Sequence, residues 1–182
     1  SLLNRVIWEM YQRQCYIEAN RKLDFLYKRD ALTGTYNRMA YFEMAEIISE
    51  KCRILNQDCL IAFFDCDNFK VINDEQGHAK GDEILKKIGT ILSDACSRKG
   101  GAFRFGGDEF VVLYPLENKE TEDEIINRLN KRFVNEGIQV SIGTCVMDVE
   151  KKKSLQEYLD MADQSMYENK KSKRVGRHRD RT

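Results

Sequence analysis

The stretch 103–114 reads FRFGGDEFVVLY and decides the fold of this chain of 182 residues. β-Branched and aromatic residues lie on both sides of Gly106 and Gly107, which predicts two antiparallel strands joined by a tight turn. Because glycine accepts the positive φ that such turns often need, we expect this pair to supply it. Asp108 and Glu109 follow directly. Two carboxylates at a hairpin turn indicate a metal site, whereas the alternative is an ordinary solvated loop.

A second pair of acids ends the most apolar run of the sequence. Residues 59–64 are all apolar, which predicts a central strand buried on both faces. Asp65 and Asp67 lie two residues apart and therefore on one face of the strand. If the hairpin lies beside this strand, Asp65 and Asp108 converge on hard cations such as Mg²⁺ or Mn²⁺. Two carboxylates that share two metal ions suit in-line attack at phosphorus. The alternative is that these acids only mark the exit of the strand to solvent.

Helical and strand periodicities interleave along the rest of the chain. The polar break 30–37 carries no predicted element, and residues 138–146 alternate as a strand does. Apolar residues recur at helical spacing in further segments, namely 38–56, 84–95, 120–135 and 154–171. A basic tail from Lys170 is expected to fray at its end. Since the hairpin requires antiparallel pairing, the predicted class is α+β, with a mainly antiparallel central sheet flanked by helices.

Residues 2–28 contain neither Gly nor Pro and predict one long helix. An imperfect apolar stripe runs along it through Leu3, Val6, Met10, Ile17 and Leu23. Polar residues interrupt the stripe, so we expect a coiled coil that is weak in isolation. The alternative is an amphipathic helix packed on its own domain.

Composition excludes several classes of function. Lys plus Arg and Asp plus Glu both number 30, so zero net charge provides no overall field for nucleic acid. The six cysteines include no CxxC pair and no zinc-ligand spacing, and are expected to be buried apolar residues in a reducing cytoplasm. No apolar run approaches the roughly 18 to 20 residues of a membrane span, and the N-terminus lacks a signal-peptide core. We therefore expect a cytoplasmic domain, compatible with a membrane-anchored sensor elsewhere in a longer protein.

Several polar residues could complete a nucleotide site. An Asn and an Asp can recognise the donor and acceptor edge of guanine, and Lys and Arg can neutralise a triphosphate. The candidates are Lys70, Asn73, Asp82, Lys170 and Arg174. Each of them, taken alone, is more often a solvated surface residue. His78 follows Gly77 and could equally be a structural loop residue.

Several short motifs follow one another along the chain. They read DALTGTYNR (30–38), FDCDNFKVIND (64–74), GH (77–78), GD (81–82), RFGGDEF (104–110), VSIG (140–143) and ADQSMY (162–167), followed by Lys170 and Arg174. In this order, over about residues 28–174, they resemble the GGDEF domain of diguanylate cyclases.

The resemblance implies a fold similar to nucleotidyl cyclases and the palm of polymerases, and condensation of two GTP into cyclic di-GMP with release of pyrophosphate. It implies that Mg²⁺ (or Mn²⁺) is held by Asp65, the main-chain carbonyl of Cys66, and Asp108. It implies that Asp108, with Glu109, helps to deprotonate the attacking 3′-hydroxyl, and that Lys70 stabilises transition-state charge. The implied substrate-binding residues are Asn68, Phe69, Asn73, His78, Asp82, Lys170 and Arg174, of which Asn73 and Asp82 recognise guanine.

The sequence departs from the family pattern at two places. Many members carry an inhibitory Arg-x-x-Asp five residues before the Gly-Gly turn, but here Ser97 and Gly100 occupy the Arg and Asp positions. Lys173 replaces a glycine that is common near the end of the last motif, and the sequence alone assigns this change little consequence.

The resulting interpretation is a diguanylate cyclase domain at 29–174, with a helical linker from a missing sensor at 1–28 and a basic tail at 175–182. Because one site holds one GTP, two domains must face each other, and we expect a homodimer through the N-terminal helix. The first alternative is an inactive regulatory domain that binds GTP or cyclic di-GMP, and a second is a purely structural dimerisation module. The intact acids and Asp82 favour the enzyme.

Overall fold

The computed structural model describes residues 1–96, 99–117, 119–148, 150 and 153–179, with the backbone alone described at 174–179. Five strands lie in this part of the chain. They are β1 (Tyr36–Asn37), β2 (Cys59–Cys66), β3 (Gly101–Gly106), β4 (Glu109–Pro115) and β5 (Val140–Met147). Six helices surround them. They are α1 (Leu2–Lys28), α2 (Arg38–Ile54), α3 (Phe69–Gln76), α4 (His78–Cys96), α5 (Glu122–Asn135) and α6 (Leu155–Arg179).

The five strands form one sheet in the order β1-β3-β4-β2-β5. β3 and β4 form the predicted hairpin, and β2 pairs antiparallel with β4 on one side and β5 on the other. Only the two-residue β1 pairs in parallel, with β3. The predicted α+β class with a mainly antiparallel sheet flanked by helices is therefore confirmed.

β2 is an interior strand between β4 and β5, and all eight of its residues are buried. Leu60 and Phe64 pack on one side of the sheet in a core shared with α4 and α5. Ile61 and Phe63 pack on the other side in a core shared with α2 and α6. This two-sided burial confirms the prediction from residues 59–64, and it places the end of β2, where Asp65 lies, between β4 and β5.

α6 lies directly against β5 at Gly143. A Cβ atom added at Gly143 would lie 1.8 Å from the backbone nitrogen of Met166 and 2.3 Å from the carbonyl oxygen of Ala162. Since both atoms belong to the helix backbone, a side-chain rotation cannot relieve the clash. The contact places Lys170, one turn beyond Met166, over the end of β2.

We expect Gly143→Ala to lower the free energy of unfolding by about 3 kcal/mol or more, because α6 must move away from the sheet. Thermal and urea unfolding measure the change. Gly107→Ala is the matched control, since a Cβ atom there meets nothing within 4 Å. Equal stability of the two variants would contradict the close packing of α6 on β5.

The structure differs from the sequence expectations at the edges of elements. β1 lies inside the segment that was expected to be a polar break, because a two-residue strand leaves no periodic signal. α6 was expected to end near residue 171, but its backbone stays helical to Arg179. The end of the tail, where fraying was expected, lies outside the described residues. Of the six cysteines, Cys15 is exposed on α1, contrary to expectation, and the other five are buried.

α1 extends away from the rest of the fold, and none of its residues is buried. Its C-terminal residue Lys28 forms an ion pair with Glu43 of α2 at 2.8 Å. The alternative of an amphipathic helix packed on its own domain is therefore wrong. Within the described residues, no helix combines the length and apolar character needed to cross a bilayer.

Candidate active site

The acids of the two motifs meet where β2 ends beside the hairpin. Asp65 is the cross-strand partner of Glu109, and the N–H of Cys66 donates to the carbonyl of Asp108 at 3.3 Å. Asp65 and Asp67 are buried, with exposed fractions of 6% and 8%. The hairpin lies beside β2, so the predicted convergence of its acids with the end of this strand is confirmed. Because Asp65 and Asp67 are buried, they do not simply mark the exit of the strand to solvent.

Burial and mutual repulsion shape the charge of this group. The pKa of Asp108 is raised, first by burial and then by the negative charge of Asp65. The pKa of Glu109 is raised by burial and then by Asp65 and Asp108. Burial also raises the pKa of the Cys66 thiol to about 12, so this side chain stays neutral at physiological pH. The site thus concentrates negative charge that a cation would relieve.

Two lysines of α6 neutralise two buried aspartates at the end of β2, Asp65 within the strand and Asp67 in the turn after it. The Lys170 ammonium donates to Oδ1 of Asp65. The Lys173 ammonium donates to Oδ2 of Asp67 at 3.0 Å and to the carbonyl of Val140 at 2.5 Å. Positions i and i+3 share one helix face, so one face of α6 supplies both lysines to the two aspartates. Ser141 completes the pairing of Asp67, since its hydroxyl donates to Oδ1 at 2.6 Å.

Arg104 holds the hairpin turn in place. Its guanidinium donates to both carboxylate oxygens of Asp30, at 3.0 and 3.2 Å, and to the carbonyl of Gly107, at 3.1 and 2.8 Å. Such bidentate, charge-assisted contacts fix geometry as well as charge. Sequence reasoning missed this role, although Arg104 and Asp30 each begin one of the motif blocks.

The expectation of positive φ in the turn is wrong. Neither Gly106 nor Gly107 has a positive φ. A register shift between Arg104 and Gly106 interrupts the regular pairing of β3 with β4 instead, and a β-bulge at such a point increases the local twist of a strand. A Cβ atom on Gly106 would meet only Glu109 Oε2, at 3.7 Å, so the backbone of the turn is open to a close approach by a ligand.

A polar cleft of about 230 Å³ opens beside the acids. It is lined by Cys66, Asp67, Asn68, Phe69, Lys70, Val71, Asp108, Lys170 and Lys173. Asn68 precedes α3 in the left-handed conformation, with φ 59°, which is a conformation that costs free energy and clusters at functional sites. The structure therefore brings the predicted residues Asn68, Phe69, Lys70 and Lys170 together with the acids.

The predicted guanine-recognising residues lie on α3 and α4, outside the lining of this cleft. Asn73 is partly buried, and its amide oxygen is buried without a hydrogen-bond partner. Gly81 lies against it, since a Cβ atom there would approach Asn73 Oδ1 to 2.0 Å and the Phe69 ring to 3.2 Å. His78 and Asp82 are exposed. The side chain of Arg174 lies outside the described residues.

The position of the family's inhibitory aspartate has no room for a side chain. A Cβ atom on Gly100 would lie 1.8 Å from the carbonyl oxygen of Leu113. An aspartate at this position would therefore require a different backbone path. Ser97, at the arginine position, lies outside the described residues.

Within the described part of the chain, no three His, Cys, Asp or Glu side chains form a metal-binding group. The set implied by the resemblance differs from such a group, because it combines two carboxylates with a main-chain carbonyl. Mg²⁺ commonly takes only one or two carboxylates from the protein and completes its shell with water and substrate phosphates.

Comparison with known proteins identifies the family. The family model "Diguanylate cyclase, GGDEF domain" matches residues 27–175. The diguanylate cyclase DgcM of Escherichia coli K12 is 33% identical over 165 residues, covering 87% of this chain and 39% of DgcM. The diguanylate cyclase DgcP of Pseudomonas aeruginosa is 33% identical over 157 residues, covering 82% of this chain and 23% of DgcP. The chain thus spans well under half of these relatives.

Solved structures agree with the fold. The coiled coil and GGDEF domain of DgcB from Caulobacter crescentus, determined with c-di-GMP, aligns over 94% of this chain and 95% of that one, with a TM-score of 0.78 and 20% identity. A microbial GGDEF domain described with bis-(3,5)-cyclic di-GMP aligns over 80% of this chain and 94% of that one, with a TM-score of 0.70 and 28% identity. Together with the family model and the curated relatives, these similarities show that the chain belongs to the GGDEF domain family of diguanylate cyclases.

Proposed function

We propose that this chain is a competent catalytic domain that condenses two GTP into cyclic di-GMP and two pyrophosphates. The observation that carries the proposal is the convergence of Asp65, Asp108 and Glu109 at a cleft lined by lysines. A domain that only bound a nucleotide would have no need to hold carboxylates together at the cost of raised pKa values.

The residues present fit a divalent cation such as Mg²⁺ or Mn²⁺. Asp65, Asp108 and the carbonyl of Cys66 would hold it, since all three offer hard oxygen donors at one end of the sheet. The Lys170 ammonium on Asp65 is a cation already bound to one of these carboxylates. When bound, the metal would neutralise negative charge on the transferring phosphate.

The other residues of the site have roles that follow from their positions. The 3′-oxygen of one GTP attacks the α-phosphorus of the other, and pyrophosphate leaves with the bonding electron pair. Glu109 is suited to accept the 3′-hydroxyl proton, because its raised pKa makes it a stronger base than an ordinary carboxylate. Lys70 and Lys170 line the cleft and would contact the phosphates.

Production of cyclic di-GMP by the purified chain tests the proposal. We expect synthesis from GTP that requires Mg²⁺ or Mn²⁺, and little turnover of ATP, because adenine presents an acceptor where Asp82 would need a donor. Binding of GTP or cyclic di-GMP without turnover would favour the inactive regulatory domain. Absence of any nucleotide binding would favour the structural module.

The position of Gly81 against Asn73 makes base recognition testable. We expect Gly81→Ala to raise the KM for GTP roughly tenfold, because the new methyl group displaces the Asn73 amide and costs one specific contact. Folding should survive, since the end of a flexible side chain can move. Steady-state kinetics of the parent, Gly81→Ala, Asn73→Ala and the double variant measure the effect.

If Gly81→Ala acts through Asn73, the double variant will be no worse than Asn73→Ala alone. Additive losses in the double variant would contradict this route.

A further inference from the structure

Lys173 lines the cleft, although the sequence alone assigned this position little consequence. It stands where the family commonly has glycine, yet its ammonium lies on buried Asp67 and on the carbonyl of Val140. Its side chain is 37% exposed, whereas that of Asp67 is only 7% exposed. Lys173 therefore places a positive charge on the wall of the cleft from an anchored position.

Among the described residues, two of the three donors of the Lys173 ammonium have hydrogen-bond partners. A lysine ammonium has three N–H donors. One donates to Asp67 at 3.0 Å and a second to Val140 at 2.5 Å. The third has no partner among the described residues, and the Lys173 side chain is 37% exposed and lines the cleft.

A bound metal ion would displace the ammonium of Lys170 but not that of Lys173. Lys170 lies on Asp65, which is itself a candidate metal ligand, so a metal ion at Asp65 would displace the ammonium. Asp67 has both oxygens occupied, by Ser141 and Lys173, and is not in the implied ligand set. Lys173 should therefore keep its position when substrate and metal bind.

The position of Lys173 along α6 indicates which phosphates it can reach. It lies three residues beyond Lys170, about 4.5 Å farther along the helix axis. Asp65, Asp108 and Glu109 surround the reacting α-phosphate in the proposed function. A positive charge set apart from these acids suits the phosphates beyond the reacting one, which carry the negative charge that departs with pyrophosphate.

We propose that Lys173 is a specificity-determining residue, whose third N–H binds an oxygen of the distal phosphates and favours nucleoside triphosphate over monophosphate. This inference rests on the proposed function, because it requires the cleft to hold GTP.

The experiment compares equilibrium binding of two probes to four proteins. The probes are GMP and a GTP analogue with a methylene group in place of the α,β-bridging oxygen, which binds without turnover, both titrated by calorimetry with Mg²⁺ present. The proteins are the parent, Lys173→Met, Lys173→Arg and Lys171→Met. Lys171 is the matched control, because it is an exposed lysine of the same helix whose ammonium lies over the Tyr167 ring.

We expect Lys173→Met to weaken binding of the triphosphate analogue roughly tenfold, the effect of one lost charge-assisted contact. Binding of GMP should change by less than about twofold. Lys173→Arg should retain most of the affinity for the analogue, and Lys171→Met should match the parent with both probes.

A purely structural role would affect the probes equally, so an equal loss for both, or no loss for either, would overturn the inference. If Lys173→Met does not fold, Asp67→Asn/Lys173→Met carries the same comparison, because it removes both charges of the buried pair. A folded parent that binds neither probe would instead contradict the proposed function itself.

Discussion

Asp108→Asn should lower the rate of cyclic di-GMP synthesis by at least about 1,000-fold, which corresponds to roughly 4 kcal/mol of transition-state stabilisation. The substitution keeps the shape of the side chain but removes one charged oxygen ligand at the point where β2 meets the hairpin. Rates measured at saturating GTP and Mg²⁺ give the effect. Asp160→Asn on α6 is the control, because this exposed residue accepts a hydrogen bond from Gln156 and lies outside the lining of the cleft.

Asp108→Asn should also be more stable than the parent at neutral pH. The pKa of Asp108 in the folded protein is raised above its ordinary value of 3.8 by burial and by Asp65. The charged carboxylate therefore opposes folding at neutral pH, and this cost disappears as the pH falls through the folded pKa. The excess stability of Asp108→Asn should consequently shrink on acidification and be lost below about pH 3.8.

Asp65→Asn should lower the rate of synthesis by a similar factor to Asp108→Asn. Unlike Asp108→Asn, it should make the protein less stable than the parent at neutral pH. Asp65 is buried and forms an ion pair with Lys170, and loss of one partner leaves the other charge uncompensated. Melting temperatures at neutral pH distinguish the two variants. Turnover close to the parent rate in either variant would show that the altered acid is outside the catalytic site.

The fold and the acids could be predicted because their signals are local. An unbroken apolar run, a Gly-Gly turn between β-branched residues and helical periodicity each identify an element without knowledge of its neighbours. The convergence of the two acid pairs was expected only if the hairpin lay beside β2, because strand neighbours are not a local signal. The structure adds the register, which makes Asp65 the partner of Glu109.

Lys173 and Arg104 could not be assigned from the sequence because their roles depend on distant partners. Lys173 reaches Asp67, which is 106 positions away in the chain, and Arg104 reaches Asp30 across 74 positions. A lysine in a basic helical segment looks like a solvated charge until the packing of α6 on β5 is known. The expectation of positive φ in the turn was wrong. The pairing of β3 with β4 shifts register between Arg104 and Gly106, and no local sequence signal announces such a shift.

The second large effect that we expect is a dependence of the activity per chain on dimer formation. In the proposed reaction each domain holds one GTP, so two chains must meet for one product to form. α1 offers a way to raise their local concentration, since its apolar residues are exposed, including Met10 at 66% and Ile17 at 36%. The polar interruptions in the stripe predict weak pairing, and a parallel coiled coil fused in register ahead of Asp30 should raise the activity per chain.

Below the dissociation constant of the dimer, a tenfold dilution should therefore lower the activity per chain about tenfold, because the fraction of paired chains falls with concentration. Met10→Glu/Ile17→Glu should extend this regime to higher concentrations, since like charges on facing helices repel. Gln12→Glu/Ala19→Glu is the control, with the same added charge at the same spacing away from the stripe. Because no α1 residue is buried, neither pair should affect the folded domain. Sedimentation run beside the assay gives the fraction of dimer, and constant activity per chain at nanomolar concentrations, in a sample that sediments as a monomer, would rule out two half-sites.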